Sequence, residues 1–105
     1  MNRPFLNLVS GGAILFDGLQ AVSWFVHMQS DINSPRMVNI SPGEIYVFIF
    51  TQDGVGGHQV NWPINCINAA SIDPTPNSTT IQTFIGNTGS LLYANVTPSR
   101  TRGNP

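Results

Sequence analysis

Apolar and polar side chains alternate with a period of two along much of this 105-residue chain, the spacing that sends successive side chains to opposite faces of a β-strand. The strongest stretch begins at Gly43. Residues 45–50 are all apolar and mostly β-branched or aromatic, which predicts a central strand covered on both sides. Three glycines within 53–57 predict a sharp reversal. A return strand is then expected over 58–62, with His58, Val60 and Trp62 on one face and Gln59 and Asn61 on the other. Pro63, lacking an N–H, ends it.

The same pattern predicts further strands. Residues 5–9 form a short apolar run, an edge strand or an arm on a neighbour. Residues 13–16 and 19–28 flank Asp17-Gly18, a strong hairpin signal; a helix over 19–28 competes with it but contains weak helix formers. A loop over 29–35 leads to a strand at 36–40 and a turn at 41–43. Residues 64–78, with no clean period, predict an irregular crossing segment that passes between sheets. A last hairpin joins 79–85 to 90–96 through a turn at 86–89. The expected fold is all-β: an antiparallel sandwich or small barrel of seven to eight short strands with little or no helix. Its organisation is an N-terminal arm (1–10), a β-sandwich domain (11–96) and a C-terminal arm (97–105), with no internal repeat.

Composition narrows the function. Charged residues are 9% of the chain, there is no lysine, and the net charge is -1. No basic stripe is available for a phosphate backbone, so nucleic acid is not expected as a partner. Such an ion-poor surface does not hold copies apart by repulsion. No apolar run is long enough for a membrane-spanning helix. The single cysteine, Cys66, reads as a small buried hydrophobe. The N-terminus lacks a secretory pattern, so the chain is expected to be made in a cytoplasm, and the Asn-x-Ser/Thr sequons at Asn39, Asn77 and Asn95 carry no weight.

Little catalytic chemistry can be assembled. The acids Asp17, Asp31, Glu44, Asp53 and Asp73 fall in or beside predicted turns, His27 and His58 have no metal-ligand spacing, and no nucleophile elbow or phosphate loop is present. No catalytic residue, cofactor or metal is predicted. Trp24, Trp62, Tyr46 and Tyr93 are able to stack on sugar rings, although an aromatic on an alternating strand is more often core.

The segment Gln52-Asp53-Gly54-x-Gly56-Gly57-His58-x-Val60-x-Trp62-Pro63, preceded by a Gly-x-x-Tyr strand at 43–50, resembles a motif of bacteriophage virion proteins, both small capsid decoration (cement) proteins and β-structured tail-fibre modules. Pro74, Pro76, Phe84 and Tyr93 follow in the order of that pattern, so the resemblance covers residues 16–93; Leu91-Leu92 stands where an aromatic is expected. The resemblance implies a non-enzymatic, often trimeric β-fold. The favoured expectation is a homotrimeric decoration protein on the capsid surface of a virion, tying major capsid protein subunits together. Contacts would come from Arg3, Phe5, Leu6, Leu8, Arg100 and Arg102. Chain length favours it over the alternative, a receptor-binding or tail-fibre module whose loops 53–57 and 64–78 touch host glycans.

Overall fold

A computed structural model of the chain describes residues 5–11, 13–64, 66–67, 69, 71–87 and 91–94. These residues contain eight strands and no helix: β1 (Phe5–Val9), β2 (Ala13–Asp17), β3 (Ser23–Met28), β4 (Ser34–Val38), β5 (Ile45–Gln52), β6 (Cys66–Ile67), β7 (Thr79–Asn87) and β8 (Leu91–Ala94). Six form one sheet in the order β1-β3-β5-β7-β8-β6, and β2 pairs with β4 in a second.

The all-β expectation holds, but the antiparallel one does not. β1 with β3, β3 with β5, β2 with β4 and β6 with β8 are parallel; only β5 with β7 and β7 with β8 are antiparallel. From β1 to β5 the chain alternates between the two sheets, so each odd strand is the crossover that a parallel even pair requires, and the reverse. The result is a flattened winding of two turns. Phe5 lies opposite Ser23 and Ser23 opposite Val47, so one turn takes 18 residues and the next 24. These unequal turns explain why no repeat shows in the sequence.

Two expected hairpins are therefore absent. β2 and β3 lie in different sheets, because the turn at Asp17 is not a two-residue connection. The Asp17 carboxylate accepts from Leu19 N (2.9 Å), while its carbonyl accepts from Gln20 N and Ala21 N (3.0 and 3.3 Å), and the chain swings across the core before β3 begins. Likewise β5 lies between β3 and β7, not beside residues 58–62. That segment is not a strand of either sheet; it makes a single parallel bridge, Val60 to Ile32. Its alternation is nevertheless real: His58, Val60 and Trp62 are half-buried, Gln59 and Asn61 exposed. The hairpin of β7 and β8 forms as expected. β4 begins at Ser34, inside the expected loop, and accepts Pro35 because it pairs on one side only.

Every second residue of β3, β5 and β7 points inward. Trp24, Tyr46, Phe48 and Phe84 are fully buried and Phe50 nearly so; Phe16 of β2 meets them from the second sheet. The Phe48 ring packs on Trp24 at 4.8 Å, Phe16 at 4.9 Å, Phe84 at 5.4 Å and Trp62 at 5.8 Å. β7 closes against the 41–44 turn, where Gly43 N donates to the Gly86 carbonyl and Gly86 N to the Glu44 carbonyl. A Cβ at Gly86 would strike the Ser41 carbonyl oxygen, so only glycine permits the approach. Cys66 is buried as expected, its Sγ 3.8 Å from Met37 Sδ, and burial pushes its thiol pKa up to about 12.

The core predicts an ordering of two substitutions. Phe48→Ala should lower unfolding free energy in urea by about 3–5 kcal/mol. Trp24→Phe should cost clearly less, because Trp24 Nε1 is buried without a hydrogen-bond partner among the described residues and the substitution removes that unsatisfied donor.

Candidate functional site

β3 and β5 finish, and β7 starts, at the same end of the larger sheet. There the loops 29–33, 53–61 and 71–78 converge, so the residues of the motif are held together with segments distant in sequence. Gln52 continues the inward alternation of β5 and is the buried polar residue of the core, 2% exposed. Its amide nitrogen donates to the carbonyls of His58 (2.8 Å) and Asp73 (3.1 Å), and its Oε1 accepts from His58 N (3.2 Å). One side chain thus fastens the 53–58 turn to the crossing segment.

Asp53 organises the turn itself. Its Oδ1 accepts from Val55 N, Gly56 N and His58 Nε2, each at 3.0 Å. Its backbone N–H donates to the Met28 carbonyl and its carbonyl accepts from Asn77 N. Gly56 and Gly57 both have positive φ, +73° and +77°. At Gly56 glycine is doubly required, since a Cβ would come within 2.6 Å of the Pro74 carbonyl oxygen and 2.8 Å of Pro76 N. Gly54 is exposed, and Pro63 is half-buried after Trp62. Trp62 packs on Phe50 and Phe84 at 5.6 and 5.2 Å.

Other carboxylates act in the same way. Asp31 Oδ1 accepts from Gln59 N at 2.8 Å and Asp73 Oδ1 from Thr75 N at 2.9 Å. The Ser10 hydroxyl accepts from the backbone N–H groups of Gln29 and Ser30. These ties, the pairing of Gln59 with Asp31 above all, join segments up to 28 residues apart in sequence and carry no periodic signal by which the sequence would reveal them. The hydrogen bond from Gly56 N holds the Asp53 carboxyl below the usual carboxylate range, with further contributions from His58 and Val55 N that outweigh its partial desolvation. Asp73 is lowered by Thr75 and Asp17 by the Asn39 amide and Leu19 N. Among the described residues Asn39 and Asn77 are the two non-glycine positions with positive φ, the conformation their short amides tolerate best; turn geometry accounts for both.

What remains outward at this end is polar: the exposed carboxylates of Asp31 and Asp73, each already accepting a backbone N–H, and a set of amide and hydroxyl side chains. Asn33, Gln59, Asn61, Thr75 and Asn77 are exposed, with Val55 at the tip. Asn61 Nδ2 donates to Asn33 Oδ1 at 3.1 Å, holding two surface amides in fixed relation. The sugar-stacking candidates are elsewhere: Trp24 and Tyr46 are fully buried, and Trp62 is half-buried against the core. The Tyr93 side chain, like Arg3, Arg100 and Arg102, lies outside the described residues. Leu6 and Leu8 are half-buried and pack against the core. Phe5 faces outward, its ring edge-on to Phe25 at 5.0 Å.

A family model described as "Putative phage tail fibre C-terminal domain" matches residues 18–90, from the turn after β2 to the connection before β8. No curated protein and no solved structure matches the chain. The match supports the tail-fibre alternative of the sequence reading over capsid decoration.

Two outcomes follow from this geometry. Gln52→Leu should destabilise the fold by about 1–3 kcal/mol despite its greater hydrophobicity, because it strands His58 N–H and two carbonyls; urea unfolding measures this. Acid should weaken the fold as well. Asp17, Asp53 and Asp73 titrate lower when folded than the ordinary value of about 3.9, so the unfolded chain binds more protons in acid. Their contribution is complete above that value and is lost as pH falls through the lower folded values, so urea midpoints should decline below about pH 4.

Proposed function

Because the chain belongs to the phage tail fibre C-terminal domain family and so to the virion, we propose that its loop-rich end is a receptor-contacting surface that binds host glycans without catalysis. The observation that carries this is the chemistry of the end. Exposed amides on loops 29–33 and 53–61 offer donors and acceptors to a neutral polyol, and the Asn61–Asn33 pair is set before any ligand arrives. Gln52 from the core and Asp53, Asp31 and Asp73 nearer the surface brace the loops through backbone hydrogen bonds, so little ordering entropy remains to be lost on binding. The carboxylates of Asp31, Asp53 and Asp73 each already accept backbone N–H groups, which suits a structural role better than acid–base work.

The labelled full chain should bind the host cells to which the phage adsorbs and compete with that adsorption. Gln59→Ala with Asn61→Ala should weaken binding about tenfold, equivalent to about 1.4 kcal/mol, while leaving the β circular-dichroism spectrum intact. Periodate oxidation of the cell surface should abolish it. Undiminished binding to oxidised cells, or no competition with the phage, would overturn the reading.

A further inference from the structure

Behind the paired amides of the loop end, the segments that carry Asn33 and Asn61 run on side by side. Ile32 bridges Val60 in parallel, Asn61 N donates to the Ile32 carbonyl at 2.9 Å, and Asn61 Nδ2 reaches Asn33 Oδ1. Two residues further along each segment stand Pro35 and Pro63. There an open groove of about 200 Å³ begins, lined by Pro35, Arg36, Met37, Val38 and Pro63. Its walls are apolar, with Pro35 and Met37 buried and Val38 and Pro63 half-buried. Arg36 is exposed beside them and is the one arginine among the described residues. It forms no ion pair with any of these residues; the pair they contain is His58 with Asp53. The carboxylate of the smaller sheet, Asp17, is engaged by the Asn39 amide and Leu19 N instead. The backbone adds a second donor. The Val38 carbonyl accepts from Gly18 N on the β2 side, so alternation along β4 turns the Met37 N–H away from β2, toward the free edge of the strand. No described residue accepts from it, and Pro35, turned the same way, has no N–H.

We propose that this groove holds an oxyanion, a carboxylate or phosphate carried by the host glycan, with the Arg36 guanidinium and the Met37 N–H as its donors. The inference rests on the glycan reading and narrows it to acidic saccharides. A guanidinium presents a planar fork that meets a carboxylate or phosphate with two parallel hydrogen bonds. The apolar walls beside it shield such a pair from water, so salt screens it less than a pair on an open surface. Spacing favours a chain of sugars over a single ring. From Asn33 to Arg36 is three residues, about 10 Å at strand spacing, a span that an oligosaccharide covers and one ring does not. The charges also give the ligand a direction. Asp31 lies on the loop side of the amide pair and Asp73 on the crossing segment, both exposed, so an anion among the loops would meet like charge. The acidic group is therefore directed to Arg36 and a neutral ring to Asn33 and Asn61. An acidic peptide would also pair with Arg36, but the amides that lead into the groove offer the donors and acceptors that sugar hydroxyls require.

In nitrogen–proton correlation spectra of the full chain, glucuronate or glucose 6-phosphate at about 10 mM, a level that reveals millimolar dissociation, should shift the Met37 amide and the Arg36 Nε–H. Glucose should leave both in place. Which acid acts identifies the anion as carboxylate or phosphate. With polysaccharide purified from the surface of the host cells, Arg36→Gln should weaken binding about tenfold, and Arg36→Lys less, since lysine keeps the charge but not the fork. Carboxyl reduction or dephosphorylation of the polysaccharide, as the spectra indicate, should weaken the wild type to the level of Arg36→Gln and leave that variant unaffected. Signals that neither acid moves, or that glucose moves equally, would overturn the proposal. So would a folded Arg36→Gln variant that binds native polysaccharide as the wild type does, with periodate-sensitive binding leaving the glycan reading intact. A wild type that binds no polysaccharide at all would overturn both.

Discussion

The packing around Phe48 is the constraint on which the rest of the fold depends. Phe16 reaches its ring from the smaller sheet, Trp24 and Phe84 from the strands on either side, and Trp62 from the segment that leaves the sharp turn. Elements that share no ladder hydrogen bonds are thus joined through one side chain. Each contact also orients the others, since edge-to-face and offset-stacked rings are favoured over direct sandwiches. With only two strands on the smaller sheet, Trp62 and the buried Ile32, Ile40 and Ile72 supply the remaining cover from loops. The crossing segment has two roles: its β6 pairs with β8 at the edge of the larger sheet, and its Ile72 covers the core.

That constraint also explains what the sequence could and could not show. The inward set was legible, because alternation reports the face on which each side chain lies: Trp24, Val26, Tyr46, Phe48, Phe50 and Phe84 follow it, and so do His58, Val60 and Trp62. Strand partners were not legible. A period of two is the same beside a parallel or an antiparallel neighbour, and Asp17-Gly18 resembles a hairpin turn until the five residues before β3 are seen to carry the chain into the other sheet. At the loop end, the glycines and Asp53 announced a tight turn. Nothing local announced that Gln52 would reach Asp73, or that Asp31 would hold Gln59.

The scarcity of ions has the same origin. In a chain of this size nearly every strand residue lies either in the aromatic core or on a sheet face, and the described acids occupy the turns, where carboxylates satisfy backbone N–H groups that the strands leave unpaired. Asp17, Asp31, Asp53 and Asp73 each do so. The charges therefore serve the backbone and leave the flank of the larger sheet apolar.

Side and end of the domain consequently differ in chemistry. The apolar flank and the amide-bearing end do not obstruct each other, because the loops project along the strand direction, away from the sheet normal. Where several copies of the chain meet, equivalent ends stand in fixed relation, so that a weak contact at each loop cluster gains from effective concentration. A module built for repeated, reversible contact with a surface needs that gain, because small polar ligands leave little apolar area to bury and each single site is correspondingly weak.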